Sequence, residues 1–445
     1  MADGSISIAY VELMRTRAVD MADACTRCGK CFDACPMVSP AGLSAADPAA
    51  TVGGVLDLLR GGEGNTEAVR WASVCTGSGY CIPSCDYGVN PRFMVQLARG
   101  YSRRLKGEAT VREKARQAFT HMTRGAKILA RLTLPPQRLA QMAPARSQPP
   151  RKTPPEVIFY TGCNVLKTPH IALLCLDILD MLGVDYEVVG GVAHCCGVYQ
   201  FREGDLAATG RVAFGTIDGL ASKGSARVLS WCPSCQIQFT EVSMPNYAAQ
   251  NGGQKPFEIE PILVFLAERA DQIGALMKHQ VEKRVALHER PSVPEVMMAV
   301  RRLLSIVPGL EQIDVDVPRV GIMANSLAVL PAFGRELKDQ EIQAVIASGA
   351  TTLATVYHAC HREFCDAGDG RGFETLNFLE LLGEGLGIWR EDLYRRLKAI
   401  GDVDGMIADA GPMIEAHGLD LDSVREALMA EFFPAQSVAL ETAQR

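Results

Sequence analysis

The sequence predicts an α+β multidomain chain: a helical, cysteine-rich N-terminal region, a duplicated α/β module, and a helical tail. Three observations predict it. Residues 1–110 hold two tight cysteine groups with little β-branched alternation, which reads as short helices and loops around metal. After a Pro-rich stretch, short apolar runs alternate with segments of helical spacing, the pattern of parallel strands with crossover helices. The chain then matches itself at an offset of 128 residues.

The bulk numbers fit this reading. A chain of 445 residues, 48% hydrophobic and 22% charged, is ordinary for a globular protein and needs no metal merely to fold. No apolar run approaches ~18 residues, so no transmembrane helix is expected and membrane association would come only through a partner. Met1–Asp20 lacks the basic flank, apolar stretch and cleavage site of a secretory signal, so a cytoplasmic location is expected. Twelve of the 15 cysteines fall in three motifs, leaving Cys175, Cys360 and Cys365. In a reducing compartment such clusters read as metal ligands rather than disulfides. The net charge of −6 hides a basic segment, Arg103–Lys152, with 13 Lys and Arg against Glu108 and Glu113. It lacks interleaved aromatics and any nucleic-acid reader motif. It reads as a solvated helix and linker, or as a docking surface for an acidic redox partner.

Taken in order, the elements are these. Residues 1–110 form the metal-binding region, and 111–155 a basic helix and linker. The linker is expected to be extended, because Pro135, Pro136, Pro144, Pro149, Pro150, Pro154 and Pro155 crowd into it. Residues 156–280 form the first α/β unit. Val157–Tyr160 reads as a buried strand, Ile171–Leu182 as a helix and Val184–Val189 as a strand. Leu206–Lys223 reads as a helix and Arg227–Trp231 as a third strand. Residues 281–395 form the repeat: Val157 falls on Val285, Ile178 on Ile306, Val189 on Val317, Val192 on Val320, Val228 on Val356 and Cys232 on Cys360, with no net gap. Residues 396–445 form a helical tail without a motif.

Cys25-Thr-Arg-Cys28-Gly-Lys-Cys31-Phe-Asp-Ala-Cys35-Pro36 is the C-x2-C-x2-C-x3-C-P run of bacterial ferredoxins. Its closely spaced thiolates can wrap the corners of a cube, and Gly29 lets the backbone pass close to sulfur. Cys75-Thr-Gly-Ser78-Gly-Tyr-Cys81-Ile-Pro-Ser-Cys85-Asp86 repeats the spacing with two departures. Ser78 replaces the second cysteine and Asp86 replaces the proline. In two-cluster ferredoxins the fourth cysteine of each run serves the other cluster. Carried over, Cys25, Cys28, Cys31 and Cys85 hold a [4Fe–4S] cluster. Cys75, Cys81 and Cys35 hold a second, with Ser78 at the open corner. A hydroxyl is a harder, weaker iron ligand than a thiolate. The second cluster is then [3Fe–4S], or an incomplete [4Fe–4S] with Ser78, water or another ligand at the fourth iron, or absent.

Cys163, the pair Cys195-Cys196-Gly197, and Cys232-Pro-Ser-Cys235 form C-x31-CC-G-x34-C-x2-C. This spacing resembles the CCG cysteine-rich domain of the heterodisulfide reductase family. It is similar also to the iron–sulfur subunits of glycolate oxidase, lactate utilisation and anaerobic glycerol-3-phosphate dehydrogenase. The order of a helical ferredoxin-type two-cluster domain followed by a CCG module matches a fusion of two heterodisulfide reductase subunits. The resemblance spans roughly residues 20–370. It implies that Cys163, Cys195, Cys196, Cys232 and Cys235 hold a noncubane 4Fe–4S cluster. The chain's own pattern agrees in kind, since each cysteine group follows a predicted strand, and parallel strands bring their carboxyl ends to one edge.

The repeat departs from that pattern. At the 128-residue offset Cys163 falls on Pro291, Cys195 on Met323, Cys196 on Ala324, Gly197 on Asn325 and Cys235 on Glu363. The second half is expected to lack a noncubane cluster. His358, Cys360, His361 and Cys365 are read either as a metal site, as a Cys360–Cys365 pair, or as a remnant shaping a pocket wall. His194 is read as a hydrogen-bond donor to a cluster sulfur, or as a satisfied polar residue. Cys175 is read as core. There is no dinucleotide fingerprint and no P-loop, so flavin or nucleotide chemistry belongs to a partner.

Three functions follow. The first is an electron-transfer subunit linking a flavoprotein dehydrogenase or electron-transfer flavoprotein to the clusters. The second makes the noncubane cluster itself catalytic at Cys195 and Cys196, on a small thiol or disulfide substrate. The third is a nonredox, metal-stabilised scaffold.

Overall fold

Val157–Gly162 shows no polar alternation, and the strand it forms, β1, is buried along its whole length. Such a strand needs cover on both faces, and flanking helices supply it. A computed structural model of the chain describes residues 3–148 and 151–434. Pro149 and Pro150 of the predicted linker, and residues 435–445 of the predicted tail, lie outside the described residues.

β1 pairs in parallel with β2 (Tyr186–Gly190) and β3 (Arg227–Ser230), and β3 pairs with β4 (Glu258–Pro261), giving the order β2-β1-β3-β4. The second sheet has the same plan. β5 (Arg284–His288), β6 (Glu311–Ile313), β7 (Thr352–Thr355) and β8 (Glu374–Asn377) run parallel in the order β6-β5-β7-β8. The α+β fold class and the duplication are both present.

The register of the repeat is corrected. Tyr160 pairs with Ser230 in the first sheet, and His288 pairs with Thr355 in the second. His288 keeps the offset of 128 from Tyr160, but Thr355 lies 125 beyond Ser230. The helices after β3 and β7, Pro233–Ile237 and His358–Phe364, then align with Cys235 opposite Cys360 and Cys232 opposite Tyr357. The expected match of Cys232 to Cys360 is therefore wrong. The second half is three residues shorter between its first and third strands, and aliphatic matches alone do not detect a loop deletion.

The N-terminal region is built from helices Asp3–Ala24, Pro48–Leu59, Thr66–Val74 and Pro91–Arg104. Asp47, Asn65 and Asn90 cap the last three, each accepting a hydrogen bond from the first turn, of Ala50, Ala68 and Phe93 respectively. Pro48 and Pro91 open two of them, where a missing N–H costs nothing. The region docks on both α/β halves. Arg92 pairs with Glu241 in the first half and donates to the carbonyl of Ser292 in the second.

The basic stretch forms the helix Glu108–Thr133, as its spacing predicts. The linker after it is not extended throughout: Pro136–Met142 is a helix with proline at its start. Ile128, Leu129 and Leu132 of the basic helix pack against Leu397, Val424 and Leu428 of the tail. No described helix is long and apolar enough to cross a membrane.

Candidate metal centres

The chain reversal between the two N-terminal cysteine runs brings them together in crossed pairs. Cys25, Cys28, Cys31 and Cys85 line one small cavity, walled by Val52, Val89 and Met94. Burial, and then the proximity of Cys25 and Cys28, pushes the Cys31 thiol up to about 12. Cys75, Cys81 and Cys35 form the second group. Burial raises Cys81 and Cys35, and Cys75 adds to both shifts. Buried thiols that repel one another as thiolates need a cationic centre to ionise together, and an iron–sulfur core is one.

Ser78, between Cys75 and Cys81 in the chain, is 5% exposed. Its Oγ accepts a hydrogen bond from Gly321 N–H at 2.8 Å and lies 3.0 Å from Thr76 Oγ1. The next turn of the same loop adds Ile322 N–H to the Thr76 carbonyl at 3.2 Å. The degenerate half thus closes over the motif that lost a cysteine, a contact that no local spacing announces. Asp86, in place of the proline, forms an exposed ion pair with Lys30 of the first run.

The third centre sits at the carboxyl edge of the first sheet. Cys163 follows β1, Cys195 and Cys196 follow β2, and Cys232 follows β3. All five cysteines of this motif are buried. Their sulfurs form a chain of contacts, Cys163 to Cys195 to Cys196 to Cys235 to Cys232. Cys195 is pulled well below the ordinary thiol value, because Cys163 and Cys196 donate to it and the Gly197 and Cys196 N–H groups point at it. Cys232 is lowered mainly by its hydrogen bond from Cys235. Cys163, Cys196 and Cys235, as donors in a buried site, are pushed up. Five soft donors with backbone N–H groups aimed at two of them fit an iron–sulfur cluster.

The basic helix covers this centre: Met122 and Ala126 pack on Cys163, and Cys163 Sγ lies 3.8 Å from Met122 Sδ. An arginine pair joins the centre to the second N-terminal group. Arg99 donates to the Cys75 carbonyl at 3.1 Å and has Arg202 as an electrostatic neighbour. Arg202 reaches Ser234 Oγ, between Cys232 and Cys235, at 3.4 Å. Neither arginine is singled out by the sequence, because the distance between them along the chain hides their electrostatic proximity.

The remaining candidates separate. His194 Nε2 meets the Pro144 carbonyl at 3.2 Å, and its buried Nδ1 has no hydrogen-bond partner among the described residues. Cys175 is fully buried on its helix, as core. His358, Cys360, His361 and Cys365 do not converge on one metal site. His358 Nδ1 accepts from Trp231 Nε1 at 3.2 Å. Cys360 Sγ accepts from Ala324 N–H at 3.3 Å and neighbours His288. His361 faces Thr355 and Asp392. Cys365 packs with the tail. The four span nearly two helical turns: Cys360 lies on the face opposite the other three, and His358, His361 and Cys365, though on one face, each meet a separate partner.

No curated protein matches the sequence. The family model described as CCG, cysteine-rich domain, matches residues 157–240. That span runs from β1 past Cys235 and contains all five converging cysteines, so the first α/β half carries a CCG cysteine-rich domain of the kind found in heterodisulfide reductase-like iron–sulfur proteins.

Proposed function

We propose that the chain is the iron–sulfur electron-transfer subunit of a heterodisulfide-reductase-like oxidoreductase. In this reading one [4Fe–4S] cluster sits at Cys25, Cys28, Cys31 and Cys85. A second cluster, [3Fe–4S] or an incomplete [4Fe–4S], sits at Cys75, Cys81 and Cys35 beside Ser78. A noncubane cluster sits at Cys163, Cys195, Cys196, Cys232 and Cys235. The observation that carries it is the burial and mutual contact of these five sulfurs inside the CCG match. Bound clusters supply one-electron chemistry; the protein's part is to hold them, exclude water and set their charge.

Several features support relay over direct substrate chemistry. Cys195 and Cys196 are each 2% exposed, and the basic helix lies over Cys163. The buried Arg99 and the neighbouring Arg202 place positive charge between the second group and the CCG centre. Such charge favours the reduced state of an anionic cluster. The flavin is assigned to a partner, a flavoprotein dehydrogenase or electron-transfer flavoprotein, docking on the basic segment. The alternative, disulfide or thiol chemistry at Cys195 and Cys196, requires that cover to move.

Iron and acid-labile sulfide in protein purified without oxygen test the reading. The expected content is well above the about four irons of one cubane. One cubane's worth or less in fully reconstituted protein overturns it. Turnover of small disulfides with reduced viologen by the chain alone would favour the catalytic alternative.

A further inference from the structure

Outside the cysteine centres, four ligating side chains meet where the two α/β halves touch. His170 lies on the helix Pro169–Met181 of the first half. The other three belong to the second half. His361 is on His358–Phe364, Glu380 on Phe378–Leu386, and Asp392 caps Leu393–Ile400. We propose that His170, His361, Glu380 and Asp392 form a binding site for one divalent transition-metal ion, zinc by its ligand set, that fastens the two halves together.

The geometry carries the case. Ligating atoms of His170, His361 and Glu380 all lie within 4.8 Å of one another. Asp392 Oδ2 lies 2.6 Å from His361 Nε2, and its Oδ1 lies 3.5 Å from His170 Nδ1. Glu380 Oε2 lies 3.9 Å from His170 Nε2. His170 is 1% exposed and His361 is fully buried. Neither ring nitrogen of His170 has a hydrogen-bond partner. Native interiors seldom leave a buried imidazole unsatisfied at both nitrogens, because the lost hydration is not repaid.

The tautomer of His361 points the same way. Thr355 Oγ1 donates to the Leu376 carbonyl at 3.2 Å, so it accepts from His361 Nδ1–H at 3.0 Å. If Nε2 carries no proton, its lone pair faces the Asp392 carboxylate. Two acceptors facing each other at that distance need a cation between them. A proton would serve His361 and Asp392 and leave His170 unserved. A metal ion also reaches His170, because the ligating atoms of His170, His361 and Glu380 share one small sphere, with Asp392 beside them on His361. Two neutral imidazoles and two carboxylates cancel a charge of 2+, so the loaded site is neutral, as a dry interior requires.

The ligands are also held in place. Glu380 Oε2 accepts from Asn377 N–H at 2.6 Å, and Asp392 Oδ1 from Arg395 N–H at 3.0 Å. Outer contacts of this kind, with the Thr355 bond to His361, orient metal ligands. Glu380 also lines a cavity of about 390 Å³ bounded by Lys283, Glu384, Trp389 and Arg390, which supplies an entry path. Two imidazoles and two carboxylates are a four-coordinate zinc set. They contain no sulfur, which separates this site from the cysteine centres by ligand chemistry.

The inference stands apart from the iron–sulfur reading, and its test separates the two. Full-length protein is produced with zinc in the medium and purified without oxygen. Zinc and iron are counted, and the zinc coordination shell is read by X-ray absorption. The expected result is about one zinc per chain with nitrogen and oxygen neighbours at about 2.0–2.1 Å. His170→Ala and His361→Ala should each lower bound zinc at least about tenfold and leave iron unchanged. Zinc below about a tenth per chain would overturn the site, as would sulfur neighbours at about 2.3 Å, which mean zinc in a cysteine centre. Zinc retained by both variants would do the same. If a variant does not fold, the coordination shell of the wild-type protein still decides.

Discussion

The two α/β halves share a strand order and differ at the strand ends. In the first, the edge above β2-β1-β3 gathers five sulfurs. In the second, the corresponding helix start holds one thiol, that of Cys360. Burial opposes ionisation of that thiol, but His288, Arg290 and the Ala324 N–H lower it to about 7. His288 in turn pairs with Glu341 at 2.8 Å. The contacts at that edge differ accordingly. Cys196 touches Cys235 in one half, and Ala324 donates to Cys360 in the other. Topology delivers groups to the edge, and the residues delivered decide the chemistry. The freed loop of the second half closes instead on Ser78.

The sharpest way to break this comparison is to delete one sulfur from each half. Cys196→Ala should remove the CCG centre's iron, because that centre has five thiols and no spare. Cys360→Ala should leave iron and low-temperature paramagnetic spectra essentially unchanged, because Cys360 bonds within its own half. Equal depletion in the two variants would mean that the halves share one centre.

A second test asks whether the halves are held as a pair. Glu431 of the tail pairs with Lys167 of the first half and with Arg362 of the second, Arg362 Nε lying at 3.3 Å. Burial alone would raise the Glu431 carboxyl, but Lys167 and Arg362 hold it below its ordinary value. Burial also lowers Lys167, so part of the gain is spent there. Glu431→Gln should cost about 3–5 kcal/mol at neutral pH, as for loss of one partner of a buried pair. A carboxyl lowered in the folded state stabilises fully above its unfolded pKa and ceases to do so as pH falls through its folded one. The difference in denaturation midpoint between wild type and variant should therefore shrink below about pH 4.5. A gap that persists unchanged in acid would mean that charge is not the cause.

The smallest effects should rank the two docking points of the N-terminal region. Gly204 has φ +89°, and a Cβ there would lie 2.5 Å from the Gly100 carbonyl oxygen, which is backbone and cannot yield. Gly77 has φ +73°, and its Cβ would meet the end of the Ile322 side chain at 2.6 Å, which can turn aside. Gly204→Ala should cost about 2–4 kcal/mol, joining left-handed strain to overpacking. Gly77→Ala should cost about 1–2 kcal/mol, mostly the backbone term. Thermal unfolding of both variants checks the order. The reverse order would place the main docking load on the second half.

Much of this was legible without coordinates. Val157–Tyr160, Leu206–Lys223 and Arg227–Trp231 announced β1, a helix and β3 to within a few residues, because a buried parallel strand must be apolar throughout and a crossover helix must be amphipathic. The cysteine spacings named their groups, because ligands of one cluster sit close along the chain. The linker was misread where Pro136 opens a helix, since proline is excluded from helix interiors and not from their first turn.

What the sequence determined alone is the local and the repetitive: the strand and helix order, the duplication, and the sulfur-rich edge of one half. Tertiary structure alone decided the rest. It set Cys235 opposite Cys360, brought Arg202 within electrostatic reach of Arg99, closed Gly321 over Ser78, and placed His170 against His361, Glu380 and Asp392. The physical reason is range. Periodicity and motif spacing record constraints between residues a turn or a strand apart. A contact between residues two hundred positions apart leaves no local pattern, because it is set by how whole layers pack, and packing is satisfied by many sequences.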